Sequence, residues 1–280
     1  MSSETIKNAI RMLVPRPVRN SLRSPSRSGK YLLDSAMYSL GVKKSLKLPD
    51  DGWSIICHPH AYRYAYESQI LDPAQNEEFR AFRSYCNPQM LLFDIGAHFG
   101  IFSLAAARIG GRAIAVDPSP LATRMIATQS ALNDFSDRIQ VIRAGAGSVE
   151  GSIRLLSSGT FSYGYFKAAK GRLKRDLTEV PSITIDAMTR KFGEPTHVKI
   201  DVEGYEGEVL RGAQHTLSRC SPLLFLELHN EMIRADGGDP CSVLEQVADA
   251  RYTFHTLAGD ETSAGALIAP PIVRFVAMRD

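Results

Sequence analysis

Long hydrophobic runs are missing from this sequence. No apolar stretch in its 280 residues approaches the roughly 18 residues that a membrane-spanning helix needs. An N-terminal apolar core of the kind found in secretory signals is also absent. The net charge of +3 is too small to indicate a nucleic-acid partner. With 44% hydrophobic and 22% charged residues, the composition is that of an ordinary globular protein.

Cysteine is scarce and widely spaced. The four cysteines are Cys57, Cys86, Cys220 and Cys241. Without a C-x-x-C pair, this spacing favours neither a disulfide framework nor a zinc site, so we expect reduced thiols in a cytoplasmic protein. The segment "CHPH" contains possible metal ligands, but no second ligand pair follows at zinc-like spacing. We interpret it as the end of a strand.

Charge and pattern divide the chain into three parts. Residues 1–48 are basic, with ten Lys or Arg against two acidic residues, and we expect a mobile or helical extension. Residues 49–89 combine short strands with a helix and lead into the main domain, residues 90–280. We interpret the extension as solvated. Contact with an anionic substrate, RNA or a membrane surface is the alternative.

Strand and helix patterns alternate from Met90 onwards. Strands are predicted at "MLLFDIG", "AIAVD", "IQVIRAG", "HVKID" and "PLLFLEL", with helical patterns between most of them. Nearly continuous apolar strands between helices are typical of a parallel sheet that is covered on both faces. We therefore predict a doubly wound, Rossmann-like α/β fold. Two further strands are expected at "YTFHTL" and "IVRFVAMRD".

The tip of the first strand, "FDIGAHFG", has the features of a cofactor loop, because ligands of open α/β sheets bind at the carboxyl ends of strands. Gly96 permits a tight turn, and Gly100 opens a helix whose free N–H groups favour an anion. This spacing differs from the dinucleotide fingerprint G-x-G-x-x-G. Asp94 would repel a pyrophosphate, but it suits the positive charges of S-adenosylmethionine.

Two more strand tips complete the predicted cofactor site. Asp117 lies 21 residues beyond Gly96, where an acid is expected to bind ribose hydroxyls. A helix N-cap is a second role that is compatible with the first. Ala144 and Gly145 are small, as expected where an adenine ring lies close to the backbone.

Acidic residues gather at the last two tips. The stretch "VKIDVEGYEGEVLRGA" places Asp201 and Glu203 after the fourth strand, and "FLELH" places Glu227 and His229 at the end of the fifth. If the two strands are neighbours, all four side chains lie on one rim of the sheet. Desolvating so many acids is unfavourable without a function, so we predict a functional site here.

In this order and spacing, "LLFDIGAHFGIFSLAAA", "AVDPSP", "KIDVEGYEGEVLRGA" and "LFLELH" resemble the FkbM-type methyltransferases, which are class I S-adenosylmethionine-dependent enzymes. The resemblance covers roughly residues 90–230. It implies a seven-stranded, mostly parallel sheet whose last strand is antiparallel. It also implies O-methylation of a hydroxyl on a sugar, glycan or natural-product metabolite. His98 replaces the commoner Asn, and Asp117 the usual Glu, and both retain hydrogen-bonding capacity. "SITID" resembles the family's short strand before a helix capped by Asp186.

The sequence contains two sets of candidate residues. The predicted cofactor-binding residues are Asp94, Gly96, Ala97, His98, Gly100, Asp117, Ala144, Gly145 and Asp201. The predicted catalytic residues are Glu203, His229 and Asp201. A hydroxyl nucleophile benefits from a general base, and the sequence favours Glu203 and His229 equally for that role. Asp201 is expected to face the cofactor or to orient a partner.

Each candidate base has a structural alternative. Glu203 could cap the helix that begins near Tyr205, and His229 could simply close the fifth strand. No metal is expected, although Asp201, Glu203, Glu227 and His229 are a possible ligand set for a divalent ion.

The same residues bear on other functions and partners. A nicotinamide-dependent oxidoreductase is disfavoured because the third fingerprint glycine is missing and Asp94 is present. Enzymes that methylate base amino groups usually have a "D/N-P-P-Y/F" tip after the fourth strand, whereas this chain has "DVEG". RNA 2′-hydroxyl methylation stays open because of the basic N-terminus. We expect a small-molecule or glycan acceptor rather than nucleic acid. The segments "FSYGYF" and "AAKGRLKR" could form a wall around it, or a solvated loop.

Overall fold

Strands and helices are described for residues 27–48, 52–67, 72–157, 166–168 and 177–279 of this computed structural model. The strands are β1 Lys44–Lys47, β2 Ser54–Cys57, β3 Leu91–Ile95, β4 Arg112–Val116, β5 Ile139–Ile142, β6 Gly145–Ala146, β7 Gly151–Ser157, β8 Phe166–Ala168, β9 Leu177–Ile183, β10 His197–Ile200, β11 Leu223–Leu228, β12 Thr253–His255, β13 Glu261–Thr262 and β14 Val273–Met278. The helices are α1 Arg27–Ser39, α2 Pro59–Ala61, α3 Pro73–Tyr85, α4 Ile101–Arg108, α5 Pro120–Leu132, α6 Ile185–Phe192, α7 Glu206–Arg211, α8 Gln214–Cys220, α9 Asn230–Ala235, α10 Pro240–Ala248 and α11 Ala264–Ile268. A π-helical turn, Tyr62–Tyr66, continues directly from α2.

The main sheet has eight strands in the described part of the chain, in the order β13-β12-β14-β11-β10-β3-β4-β5. Strands β5, β4, β3, β10 and β11 run parallel, whereas β14 runs antiparallel to both β11 and β12. This arrangement confirms the predicted α/β fold, with a mostly parallel sheet and an antiparallel last strand. The two-residue edge strand β13 adds an eighth strand to the seven that were expected.

The direction of winding reverses between β3 and β10. From β3 the chain winds outward through β4 and β5, and it then crosses back to β10 and β11 on the other side. Such a switch point leaves a crevice at the carboxyl ends of the strands, where ligands bind in open α/β sheets. Because β3 and β10 are paired up to Ile95 and Ile200, the segments that follow them emerge side by side.

Buried side chains cover both faces of the sheet. On β10, Val198 and Ile200 are fully buried in the same cluster as Val209 of α7. Lys199 alternates to the other face, where its Nζ atom lies 4.5 Å from the centre of the Phe102 ring. Full burial of an aliphatic side chain contributes about 1.5–3 kcal/mol to folding stability. These contacts therefore fix the position of β10 and of the residues that follow it.

A second, four-stranded sheet was not expected from the sequence. Its strand order is β6-β9-β7-β8, and β9 runs antiparallel to β7 and parallel to β6. It is inserted in the chain between β5 and β10. The aromatic and basic segments, for which a wall around the acceptor or a solvated loop was considered, lie largely outside the described residues, at 158–165 and 169–176.

The helical pattern of "GEVLRGAQHTLSR", which follows β10, predicts one continuous helix, and this prediction is wrong because the structure has two helices there, α7 and α8. They are separated at Gly212 and Ala213. A methyl group on Gly212 would overlap the backbone carbonyl oxygen of Gly147, so the close approach of these two segments requires glycine.

The prediction that Asp186 caps its own helix was also wrong. Thr184 is the N-cap of α6, and its hydroxyl accepts a hydrogen bond from the backbone N–H of Ala187. Asp186 instead accepts hydrogen bonds from the backbone N–H and the hydroxyl of Thr216, at 2.8 and 2.7 Å. Its carboxylate therefore ties α8 to α6.

Within the basic N-terminal part, helix α1 overlaps the segment "YLLDSAMYSLGV", and residues 1–26 lie outside the described residues. Helix α1 contacts α2, and strands β1 and β2 form an antiparallel pair. A membrane-spanning helix, judged by length and hydropathy, is not found anywhere in the described ranges.

Candidate active site

A cleft of about 220 Å³ opens at the carboxyl ends of the parallel strands. The predicted site residues that line it are Gly96, Ala97, His98, Gly100, Asp117, Ala144, Gly145, Asp201 and Glu203. Two predicted residues, Asp94 and His229, are buried next to it and are not among the described residues of its lining. The structure therefore brings the predicted cofactor loop and the predicted acidic rim into one cavity.

The loop after β3 is shaped by backbone conformations that few residues tolerate. Gly96 has a φ of 79°, and a methyl group there would overlap the backbone carbonyl oxygen of Asp201. Gly100, with a φ of 78°, is the N-cap of α4. His98 has a φ of 49°, in the left-handed region where Asn and His are enriched among non-glycine residues. This explains physically why His98 can occupy a position where Asn is commoner.

Asp94 anchors the end of β3 to helix α4. Its carboxylate is almost fully buried and accepts a 2.6 Å hydrogen bond from the hydroxyl of Ser103 in α4. Burial raises the pKa of Asp94, and the positive charge of Lys199 and the bond from Ser103 oppose that rise. The carboxylate is therefore fixed between the end of β3 and the first turns of α4.

Asp117 joins the tips of β3 and β4. Its Oδ2 atom accepts from the backbone N–H of His98 at 2.9 Å, and its Oδ1 atom accepts from the backbone N–H of Ser119 at 2.8 Å. Burial raises the pKa of Asp117 to about 7. Each carboxylate oxygen accepts more than one hydrogen bond, so both still have acceptor capacity towards the cleft. The N-cap of α5 is Ser119, whose hydroxyl accepts from Ala122, so the alternative that Asp117 is this N-cap was wrong.

Ala144 and Gly145 lie where the chain leaves β5, and both are buried in the cleft wall. A methyl group at Gly145 would overlap the side chain of Ile153 on β7. The close packing of Ile153 therefore favours a small residue at this position.

Asp201 and Glu203 turn away from β10 in different ways. The backbone N–H of Asp201 donates to the carbonyl oxygen of Ile95 at 3.0 Å, which extends the pairing of β10 with β3 by one bond. Glu203 adopts a left-handed φ of 55°, and Gly204 follows with 94°. This double turn directs the Glu203 segment over the rim of the cleft.

The alternative of Glu203 as a helix cap is not supported by the geometry of α7. The N-cap of this helix is Tyr205, whose side chain makes no capping hydrogen bond. The neighbouring backbone N–H of Gly204 donates instead to Oε1 of Glu206, at 3.1 Å. Glu203, two residues before Tyr205, is therefore not the N-cap residue of α7.

His229 follows β11 and is held by Glu206, a residue that the sequence analysis missed. Its Nδ1 atom lies 2.8 Å from Oε1 of the fully buried Glu206. Its Nε2 atom lies 3.7–3.9 Å from carboxylate oxygens of Glu227, Glu203 and Asp201. Burial lowers the pKa of His229, but the hydrogen bond and charge of Glu206 and the nearby carboxylates raise it to about 9. The imidazole is therefore protonated at neutral pH.

A buried network of cations and carboxylates closes the end of the cleft next to α3. Nζ of Lys199 lies 3.5 Å from carboxylate oxygens of both Glu78 and Asp201. Arg274 of β14 makes two hydrogen bonds to Glu227, at 2.6 and 3.0 Å, and lies 3.3 Å from Glu78. Burial lowers the pKa of Lys199, but these carboxylates raise it above its usual range. Burial raises the pKa of Glu227 to about 7.

Lys199, Glu78 and Arg274 were also missed by the sequence analysis. The signal was a charged residue within an apolar strand, as in "HVKID" and "IVRFV", because such a residue is buried only with a partner. Glu78 had no such signal. It lies on an amphipathic helix, and the sequence does not show which residues of that helix are buried.

Asp201, Glu227 and His229 form a possible metal-ligand group, with donor atoms within 4.8 Å of one another. Two observations oppose a metal there. Glu227 is already bound by the Arg274 guanidinium, and His229 is protonated at neutral pH, whereas a metal needs the neutral imidazole. The cluster is thus balanced by the chain's own cations and fits a divalent ion poorly.

The strand order β5-β4-β3-β10-β11-β14-β12, with β14 antiparallel and a cleft at the switch point, is that of the class I methyltransferase fold. The family model described as "Methyltransferase FkbM domain" matches residues 94–255, more than half of the chain. The chain therefore belongs to the FkbM methyltransferase family, which confirms the resemblance seen in its motifs.

Individual relatives share shorter or weaker similarity. Over 65 residues the chain is 37% identical to a ribosomal protein L11 methyltransferase of Pelotomaculum thermopropionicum, which covers 23% of this chain and 21% of that protein. The chain thus spans about a fifth of the length of the curated relatives that it matches. Methyltransferase FkbM from Methylobacillus flagellatus is similar in structure, with a TM-score of 0.42, 20% identity and coverage of 68% of this chain and 44% of that chain. A methyltransferase from Geobacter sulfurreducens in complex with S-adenosyl-L-homocysteine has a TM-score of 0.34, 12% identity and coverage of 54% and 47%.

Proposed function

We propose that the protein is an S-adenosylmethionine-dependent O-methyltransferase that acts on a hydroxyl of a sugar, glycan or natural-product metabolite. One observation carries the proposal. The Gly96–Gly100 loop and Asp117 share a single cleft with the carboxylates of Asp201 and Glu203. This shared lining supports a cofactor site, without a phosphate-binding fingerprint, next to a potential base.

The residues of the cleft fit S-adenosylmethionine along its length. Asp117, with acceptor capacity left on both oxygens, suits the ribose hydroxyls. The small Ala144 and Gly145 suit a flat adenine ring, and the loop around Gly96 with the buried Asp94 suits the charged methionine end. When bound, the cofactor supplies the methyl group and its own leaving group, so the protein contributes position and electrostatics.

We assign the general base to Glu203 rather than to His229. Glu203 lines the cleft, whereas His229 is only 3% exposed and carries a proton at neutral pH. Glu203 would accept the proton of the acceptor hydroxyl as that oxygen becomes nucleophilic. His229, held by Glu206, is then a positioning residue whose positive charge lies 3.8 Å from the Glu203 carboxylate and helps to hold it in place. Asp201 is assigned to the alignment of the cofactor.

The remaining wall of the cleft suits an uncharged polyhydroxy acceptor. Tyr64 and Tyr205 offer aromatic faces, and Gln75 offers an amide. The nearby cations Lys199 and Arg274 are already paired with carboxylates, so the wall does not favour an anionic acceptor. The four free cysteines support our proposal of a cytoplasmic location.

Two measurements test the proposal in sequence. Isothermal titration calorimetry of the purified protein should show binding of S-adenosylhomocysteine and none of NAD. Incubation with methyl-labelled cofactor and a panel of glycans and metabolites, followed by mass spectrometry, should then show label on a hydroxyl oxygen. Binding of NAD but not of S-adenosylhomocysteine would overturn the cofactor assignment. Label that appears only on RNA would overturn the acceptor class.

A further inference from the structure

Helix α1, which lies outside the residues matched by the family, is docked through a buried carboxylate. Asp34 is fully buried, with its Oδ2 atom 3.2 Å from Nδ1 of His60 and its Oδ1 atom 3.1 Å from Nη2 of Arg63. A carboxylate is buried in this way only when it is paired, and removal of one partner leaves an uncompensated charge. Asp34 therefore fixes α1 against α2 and the π-helical turn.

The ring of His60 connects Asp34 to the predicted cofactor loop. It is fully buried, and its centroid lies 5.1 Å from the ring of Tyr31, 4.6 Å from that of Tyr64 and 5.9 Å from that of Phe99. Tyr31 belongs to α1, Tyr64 lines the cleft, and Phe99 is part of the loop after β3. One imidazole thus packs against the extension, the cleft wall and the cofactor loop at once.

A second contact reaches the same loop residue. The hydroxyl of the fully buried Tyr66 donates a 2.6 Å hydrogen bond to the backbone carbonyl oxygen of Phe99. Tyr66 ends the π-helical turn, a rare geometry that is often found at functional sites. Phe99 stands between His98 and Gly100, which both have left-handed φ angles. A bond to its carbonyl therefore helps to hold the loop in a conformation that an unsupported chain disfavours.

We propose that Asp34, His60 and Tyr66 are positioning residues for the cofactor loop. On this view α1 is a structural part of the cofactor site rather than a detached extension. The inference rests on the proposed function, because its consequence is the affinity of the loop for the cofactor.

The first test is Tyr66→Phe, which removes the hydroxyl and keeps the ring. The matched control is Tyr252→Phe, since the buried Tyr252 donates a similar 2.9 Å bond to the carbonyl oxygen of Pro222. Pro222 precedes β11, at the amino-terminal end of the strand and therefore away from the cleft. Both variants should lower the melting temperature. Only Tyr66→Phe should weaken binding of S-adenosylhomocysteine in calorimetry, by about five- to tenfold. Equal affinity of both variants and the wild type would overturn the inference.

The second test uses Asp34→Asn, alone and combined with Tyr66→Phe. If both residues act through Phe99, the affinity loss of the double variant should be smaller than the product of the single losses. The control is Asp186→Asn, which affects the contact between α6 and α8. An unchanged affinity of Asp34→Asn overturns the role of α1 even if Tyr66→Phe does not fold. A wild-type protein that fails to bind S-adenosylhomocysteine overturns the proposed function itself, whereas normal binding by all variants overturns only this inference.

Discussion

Nδ1 of His229 lies 2.8 Å from Oε1 of Glu206, and this buried pair joins the end of β11 to the first turn of α7. Glu206 also accepts from the backbone N–H of Gly204, so the same carboxylate fixes the turn that carries Glu203. The pair therefore sets both the protonation state of the histidine and the position of the proposed base. Four carboxylates around one imidazole make the cation more favourable than the neutral ring.

The first prediction concerns the titration of His229. Nuclear magnetic resonance of the imidazole should show a pKa of about 9, and Glu206→Gln should lower it. His197, whose pKa burial lowers to about 4, is the internal control and should not move. Because the folded-state pKa of His229 lies above the unfolded value of about 6.5, its contribution to stability is complete below that pH. That contribution should fade as the pH rises through about 9, and Glu206→Gln should reduce this dependence.

The second prediction separates chemistry from binding at Glu203. Glu203→Gln should reduce kcat by about 10²- to 10⁴-fold, the usual range for loss of a general base. The affinity for S-adenosylhomocysteine should stay within about twofold, because the amide preserves the shape of the side chain. Glu208→Gln is the matched control, since Glu208 lies on the same segment and pairs with Ser148 and Arg211. Normal turnover of Glu203→Gln would place the base elsewhere in the cleft.

The third prediction tests the role of Asp117. Asp117→Asn should weaken binding of S-adenosylhomocysteine by about 10- to 100-fold, because it removes the charge from an acceptor of several hydrogen bonds. Ser119→Ala is the control: it removes the N-cap of α5 and should cost about 1 kcal/mol of folding stability while sparing affinity. Calorimetry and thermal unfolding measure the two effects separately. Similar affinity in both variants would mean that Asp117 only braces the loop.

The main sheet was predictable because its strands are buried on both faces. Apolar runs between helices, such as that of β3, indicate a parallel sheet covered on both faces without knowledge of any contact. The second sheet was not predictable in the same way. Its strands β6 and β8 are only two and three residues long. Strand β9 pairs with β6 and β7, which lie far from it in the sequence. The predictions of Asp117 and Asp186 as helix N-caps were wrong because a nearby Ser or Thr is the N-cap of each helix.

The candidate site was predictable only where a residue type and a strand tip coincide. Gly96, Asp117 and Asp201 satisfy that condition, and they line one cleft. Glu206 and Glu78 do not, since each lies on a helix and reaches its partner through tertiary packing. The raised pKa of His229 could not be predicted, because the sequence does not show that Glu206 lies beside it.

The fourth prediction is that exhaustive chelation leaves turnover unchanged. A divalent ion at Asp201, Glu227 and His229 would have to displace the Arg274 guanidinium and a proton. Activity should therefore be the same after dialysis against a chelator, with or without added Mg²⁺ or Mn²⁺. A loss of activity that either ion restores would assign the cluster to a metal.

The last prediction compares two glycines that share a backbone conformation but differ in their surroundings. Gly96 and Gly237 have φ angles of 79° and 75°. A methyl group at Gly237 meets nothing within 4 Å, whereas one at Gly96 would overlap the carbonyl oxygen of Asp201. Gly237→Ala should therefore cost only the left-handed penalty of about 1–2 kcal/mol. Gly96→Ala should cost about 4 kcal/mol or more, because the tips of β3 and β10 must separate. Chemical denaturation measures both, and equal losses would mean that the loop yields without disturbing Asp201.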